Sequence, residues 1–548
     1  MKRQNVIRIL QAGISGLSLG MIIIFIPRII AAFTLTAANR YMHYKMFRLM
    51  AFVFQKELGG TWVFIFSGAF IFLAFWRFVL KKQLRPTEKK RQRILDHAAL
   101  KSLRGIGGLA MCGVVVLNGG VFIDGIANGP KGPNLVFVCI ETLRSDHLGC
   151  YGYRRNTTPF IDQLAEESIV FERAYATSSW TLPSVHSMMT SLYQSSHGVI
   201  DENHRLAPSF ITFAERMKNR GYQTSGFIAA PFLESFYGFN QGFDLYDESL
   251  SRSKHSLSHK SITSPGLTKS AISWLQKNQK RKFFLFLQYW DPHYDYIPPP
   301  PYDTQFDPDY TGDIDGTEIE GSQKINPRMN PRDLEHLVAL YDGEIRWTDM
   351  HFGKIIEALR TMGLFEDTIL VVVGDHGDEF LDHGGSTHKK TLYEEVIHVP
   401  LIFKFPGTRE SRRITTTVST VDILPTVLDL LNMKPAAAID GTSLIGILRG
   451  QEARHPEQVY SELSPNLTAS IGPRWKAIYN SDINTFELFD MKNDPEERKN
   501  KSVAPDKGGK DEINNLKNRL RRRVPFNAPR IEKDEWLQKN LRSLGYIK

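Results

Sequence analysis

Asn134-Leu135-Val136-Phe137-Val138-Cys139-Ile140, followed by Glu141-Thr142-Leu143-Arg144, decides the fold class. The apolar run is unbroken from Leu135 to Ile140, the pattern of a strand covered on both faces rather than one that alternates toward solvent. Residues 283–287 and 368–373 repeat it. Both runs end in polar groups, Asp291-Pro292-His293 after the first and Asp375-His376-Gly377-Asp378 after the second. Helical patterns lie between the strands: Thr158-Pro159 opens one with Phe160, Ile161 and Leu164 on a single face, and others run over 334–360 and 421–431. Strand and helix in alternation, with polar groups where strands end, predict an α/β sheet flanked by helices and a site along its carboxyl edge.

Charge divides the chain. It has 548 residues with 68 Lys and Arg against 59 Asp and Glu, a formal net charge of +9. Residues 1–130 hold 18 basic against 4 acidic side chains, net +14, and the remainder 50 against 55, net −5. The basic quarter is also the most apolar, which argues for membrane topology and against a nucleic-acid partner. Uncharged or nearly uncharged runs at 9–27, 61–80 and 105–123 are long enough to be transmembrane helices. Residues 81–104 carry nine Lys and Arg against two acids, which marks a cytoplasmic loop and places the domain after residue 130 outside the cytoplasm. The expected domains are a membrane region at 1–130, a catalytic domain at 131–435 and a smaller C-terminal subdomain with its tail at 436–548. Cys112, Cys139 and Cys150 form neither a disulfide framework nor a metal-ligand pattern. The stretches 250–266, 298–301 and 303–332 read as surface excursions, and the basic cluster Arg519–Arg523 as a solvated helix face.

Glu141 follows a buried strand, and Asp375 and His376 follow another. Thr181, in Ser179-Trp180-Thr181-Leu182-Pro183-Ser184, stands at a helix entrance. A carboxylate, a hydroxyl, a second carboxylate and an imidazole converging on one edge suit a divalent cation of hard or borderline character. A helix N-terminus at Thr181 adds a dipole favourable to an anionic ester.

From residue 134 onward the chain resembles the sulfatase family of the alkaline phosphatase superfamily. The stretches that carry the resemblance are N-L-V-F-V-C-I-E-T-L-R-S-D-H-L-G-C-Y-G-Y at 134–153, T-P-F-I-D-Q-L-A at 158–165, T-L-P-S at 181–184 and S-M-M-T-S-L-Y-Q-S-S-H-G-V at 187–199. D-P-H at 291–293, V-V-G-D-H-G-D-E-F at 372–380 and K-T-L-Y-E-E-V-I-H-V-P-L-I-F at 390–403 follow, then D-G-T-S-L at 440–444, F-E-L-F-D-M-K-N-D-P-E-E at 486–497 and L-R-S-L-G-Y-I at 541–547. The resemblance implies an alkaline-phosphatase-like sheet, a C-terminal α+β subdomain with an antiparallel sheet, and metal-assisted cleavage of a sulfate or phosphate ester. It assigns Glu141, Asp375 and His376, with Thr181, to one divalent metal ion, and Thr181 to the nucleophile. His293 and Lys389 fall on the residues that contact the ester oxygens and leaving group, with His388 as an adjacent helper. Manganese or zinc suits a His with two carboxylates, and magnesium or calcium is an alternative.

Departures from the family pattern bear on the chemistry. Typical members have C-x-P-S-R or S-x-P-S-R, whose first residue becomes formylglycine. Thr181 stands there instead, and Val185 replaces the arginine. Where the family has G-K-x-H, this chain has Gly226-Phe227-Ile228-Ala229-Ala230-Pro231. The first carboxylate is Glu141 rather than Asp, and Thr142 replaces a second acid. This set is more similar to lipoteichoic acid synthases and phosphoethanolamine transferases, membrane-anchored relatives that carry a phosphoryl group on threonine. A threonine hydroxyl activated by a cation can attack phosphorus in line. The expected protein is a membrane-anchored, extracytoplasmic metalloenzyme that cleaves or transfers a phosphate ester of lipid or envelope polymer. Hydrolysis of a sulfate ester, or non-catalytic binding of an anionic lipid or partner, are the alternatives.

Overall fold

The computed structural model describes residues 132–531 apart from 252–261, 410, 436, 452–454, 464 and 523–525. The proposed spans at 9–27, 61–80 and 105–123 and the closing stretch 541–547 lie outside the described residues. Among the described residues, no helix is long and apolar enough to cross a membrane. They belong to one compact unit, Asn128–Lys548.

The main sheet is built from β1 (Asn134–Ile140), β2 (Ile169–Tyr175), β3 (Gln223–Ile228), β4 (Leu245–Asp247), β5 (Phe283–Tyr289) and β6 (Thr368–Gly374). A short hairpin, β7 (Glu379–Phe380) with β8 (Ser386–Thr387), follows, and β9 (His398–Lys404), β10 (Arg412–Ile414) and β11 (Val418–Ser419) complete the sheet. Spatial order is β10-β2-β9-β6-β1-β5-β3-β4, with β11 paired to β2. β1 pairs in parallel with β5 and β6, so the three apolar runs legible in the sequence are the three central strands. Every residue of β1, β5 and β6 is buried, which the absence of alternation predicts. β9 runs antiparallel between β6 and β2.

The helices that matter for the site are α1 (Pro159–Ala165), α2 (Thr181–Thr190), α3 (Ser264–Asn278), α4 (Pro331–Thr361) and α5 (Ile423–Leu430). α4 begins at a Pro behind an Asn330 cap, whose side chain accepts from Arg332 N–H. It packs along α3 and α1. On the sheet, Phe137 lies 5.6 Å from Phe286 and Phe213 4.9 Å from Phe284 between ring centroids.

A second sheet of four antiparallel strands, β12 (Val459–Leu463), β13 (Leu467–Ile471), β14 (Trp475–Asn480) and β15 (Thr485–Asp490), lies toward the C-terminus in simple meander order. The helix α6 (Lys507–Arg522) covers it, packing Leu516 against Trp475, Ala477 and Leu488. β12 is sewn to the segment that precedes α2: Glu462 N–H donates to Thr177 C=O (2.7 Å), and the Ser461 hydroxyl donates to Ala176 C=O. Arg519, read from the sequence as part of a solvated face, instead reaches inward. Its guanidinium pairs with the buried Glu462 (3.3 Å) and lies over the rings of Tyr193 and Tyr460. A planar cation with two aromatic faces beside it gains from burial that a spacing argument does not register.

Candidate active site

Register in the sheet builds the site. Ile140 in β1 is the partner of Gly374 in β6 and of Tyr289 in β5. Glu141, Asp375 and the Asp291-Pro292-His293 turn therefore emerge from adjacent parallel strands at one edge, the expected ligand position in an open α/β sheet. Thr142 locks the junction: its amide donates to Asp375 Oδ1 (3.1 Å) and its hydroxyl to Pro292 C=O (2.8 Å). Thr142 takes φ +46°, and its own carbonyl accepts from Tyr341 Oη (2.6 Å). The residue that replaces a family acid thus serves the backbone of the site.

Glu141, Asp375 and His376 each offer a ligand atom within 4.8 Å of one another, and all three are fully buried. His376 Nδ1 faces Gly377 C=O at 3.0 Å, which orients the ring with Nε2 toward the carboxylates. Nε2 stands 3.6 Å from Glu141 Oε1 and 3.4 Å from Asp375 Oδ2. Burial pushes Glu141 up to about 8. Burial and the neighbouring Glu141 hold Asp375 well above the usual carboxylate range. Asp375 Oδ2 is buried without a hydrogen bond. Two carboxylates buried together, an unsatisfied oxygen among them and an imidazole turned to meet them form a donor set that fits a divalent cation.

Thr181 is the first residue of α2 and is buried. Its hydroxyl donates to Glu141 Oε1 and lies 3.4 Å from His376 Nε2. Ser184, three residues on, donates to Asp375 C=O (2.7 Å) and pins the first turn of α2 to the end of β6. The helix N-terminus adds partial positive charge where an anionic ester would sit. Val185, which stands where the family has its arginine, is wholly buried.

His293 and His388 flank the cluster. Their rings are 5.2 Å apart between centroids, and His388 is 4.4 Å from His376. His388 Nδ1 is 2.6 Å from Asp378 Oδ1, while Tyr296 Oη donates to Asp378 Oδ2 at 2.6 Å. Burial raises the Asp378 carboxyl to about 7. His293 Nδ1 faces the Tyr294 carbonyl at 2.7 Å, and its ring stacks on Trp290 (3.9 Å). Lys389 is half-buried, with Nζ 4.1 Å over the Trp180 ring and 3.4 Å from Glu202.

Three residues with no role in the sequence reading complete the arrangement. Gln288 donates to Glu141 Oε2 (2.5 Å) and accepts from the amides of Ala229 (3.1 Å) and Ala230 (2.9 Å). The chain that lacks G-K-x-H thus uses that turn to clamp the glutamine orienting Glu141. A polar residue inside the apolar run Phe283–Tyr289 was the available signal. Asp378 was visible as a polar group at the end of a strand, but its pairing with His388 was not, and Tyr296, which donates to Asp378, carried no signal.

The sulfatase family model matches residues 133–433, more than half of the chain. The chain belongs to the sulfatase family. This sulfatase-family protein is thereby a hydrolase of the alkaline phosphatase superfamily. A second model, N-sulphoglucosamine sulphohydrolase, C-terminal, matches residues 382–524. A delta 4,5-hexuronate-2-O-sulfatase of Bacteroides thetaiotaomicron is 25% identical over 436 residues, covering 73% of this chain and 88% of the relative. The arylsulfatase K of Bos taurus is 24% identical over 433 residues, with 68% and 78% covered. Among solved structures, a phosphonate monoester hydrolase of Agrobacterium radiobacter superposes with a TM-score of 0.61 at 21% identity, over 71% of this chain and 95% of that one, a likeness of fold.

Proposed function

We propose that this sulfatase-family protein is a metal-dependent enzyme that cleaves or transfers a phosphate ester through a covalent intermediate on Thr181. The observation that carries the reading is the buried Thr181 hydroxyl, hydrogen-bonded to Glu141 at the N-terminus of α2 and 3.4 Å from His376. Glu141, Asp375 and His376 would hold the cation. Once bound, it would supply Lewis acidity that favours ionisation of the Thr181 hydroxyl and neutralises charge on the ester.

Thr181 Oγ forms a bond to phosphorus as the bond to the departing oxygen breaks, and the hydroxyl proton has an acceptor in Glu141. His388, its Nδ1 tied to Asp378, and His293, its Nδ1 tied to a carbonyl, are held in fixed orientations to give a proton to the departing oxygen. Lys389 adds positive charge. Water or an acceptor hydroxyl then takes the phosphoryl group from Thr181. Threonine cannot become formylglycine, so a route by elimination from a hydrated aldehyde is closed to it.

A second reading, hydrolysis of a sulfate ester by direct attack, is favoured by the sulfatase names of the sequence relatives. Thr181→Ala, assayed beside wild type on nitrophenyl phosphate, a nitrophenyl phosphodiester and nitrophenyl sulfate, tests both. Turnover of the phosphate substrates that is lost in the variant supports the first, and turnover of sulfate alone supports the second.

The spans at 9–27, 61–80 and 105–123 are part of the proposal, as is the arrangement of a 1–130 anchor, a 131–435 catalytic domain outside the cytoplasm and a 436–548 subdomain. The anchored domain would act on lipid or envelope polymer. Protease added to intact spheroplasts should cut the domain; cleavage only after lysis contradicts this topology.

A further inference from the structure

Lys389 leaves the β7–β8 hairpin with φ +66°, and its amide donates to Ser179 C=O (2.9 Å), two residues before Thr181. Its ammonium is placed by two side chains. The Trp180 ring lies 4.1 Å beneath it, and Glu202 Oε2 is 3.4 Å away. Trp180 immediately precedes the nucleophile and is buried edge-on to Phe232 (5.5 Å between centroids). It is a fixed surface. A lysine side chain is long and flexible, so holding its charge at one point needs such partners.

Glu202 is held in turn. Its loop follows the short helical turn Gln194–His197 and begins at Gly198, whose φ of +75° suits a residue without Cβ. A Cβ there would stand 2.1 Å from Phe526 C=O, because residues 526–531 cross directly over it. That segment brackets Glu202. Phe526 N–H donates to Ser195 C=O (3.0 Å), Ile531 N–H to Asn203 C=O (2.8 Å), and Arg205 N–H to Pro529 C=O (2.9 Å). Asp201 closes the turn by accepting from Asn203 N–H (2.8 Å) and pairing with His204 (2.6 Å). The Phe526 and Phe210 rings meet 4.9 Å apart.

We propose that Glu202 is a positioning residue of this active site: with Trp180 it holds the Lys389 ammonium beside the nucleophile's helix entrance, on a loop strapped down by residues 526–531. The inference rests on the reading in which Lys389 meets the ester oxygens.

The test is a double-mutant cycle in the full chain: Glu202→Gln, Lys389→Met and the pair together. The readouts are kcat and KM on a nitrophenyl phosphodiester and the inhibition constant of inorganic phosphate. Glu202→Gln should lower kcat/KM about tenfold and weaken phosphate inhibition, and the pair should be no worse than Lys389→Met alone, the coupling expected of residues acting through one contact. Glu202→Asp, which keeps the charge, should recover part of the loss. A Glu202→Gln enzyme within twofold of wild type, or losses that simply multiply, overturns the proposal. Thr181→Ala in the same assay separates the two levels. If it is inactive while the cycle shows no coupling, only the role of Glu202 falls. If it remains active, the covalent reading falls and the role of Glu202 with it.

Discussion

Ile140 and Gly374 are cross-strand partners in β1 and β6, and the residues that follow them, Glu141 and Asp375, therefore leave the sheet side by side. Two carboxylates are thus buried together with one imidazole, an arrangement that carries an electrostatic cost which a divalent cation removes.

Cation binding should for that reason stabilise the fold. Chelated protein should melt below protein supplied with manganese or zinc, and a cation at a hundred times its Kd contributes about 2.7 kcal/mol. Asp375→Asn should abolish the cation-dependent rise in Tm while leaving the chelated protein at least as stable as wild type, since it removes a buried carboxyl whose ionisation burial and Glu141 oppose. Equal melting with and without divalent cations would count against the site.

Gln288 bridges Glu141 Oε2 to the amides of Ala229 and Ala230. Gln288→Ala leaves all three groups without that partner in a dry environment, a loss of about 2–4 kcal/mol in stability. Disturbing a ligand's supporting hydrogen bond should also weaken metal affinity about 10–100-fold. Calorimetric titration of the folded variant checks this; unchanged affinity would show that Glu141 needs no such support.

His383 lies between β7 and β8, stacked on Tyr393 (3.8 Å). Its Nδ1 faces Glu395 at 2.7 Å and its Nε2 the Glu497 carbonyl at 3.3 Å. Burial alone would pull the imidazole down, but Glu395 and that carbonyl outweigh it and raise it above its ordinary value. A raised histidine contributes stability that is complete below about 6.5 and is lost as pH rises through its folded pKa. The Tm difference between wild type and His383→Gln should therefore shrink between pH 6 and 8.5, and a constant difference would refute the charged form.

The three central strands, the sheet class and the entry of α2 at Thr181 were legible because unbroken apolar runs and a Thr-x-Pro-Ser start are local signals. Glu141, Thr181, Asp375 and His376 could be named because each follows or opens such an element. Gln288, Asp378, Tyr296 and Glu202 could not be assigned, since their partners lie 147, 10, 82 and 187 positions away and only the fold unites them. Lys389 shows the same limit. The family resemblance implies contact with the ester, while Trp180 and Glu202 decide where its charge is held.

Accurate-mass peptide analysis of enzyme quenched during turnover of a phosphodiester tests the central claim most directly. The account predicts a phosphoryl adduct on Thr181 that is absent from Thr181→Ala, with a mass that separates phosphate from the nominally equal sulfate. Steady turnover by Thr181→Ala, or an adduct on another residue, would contradict it.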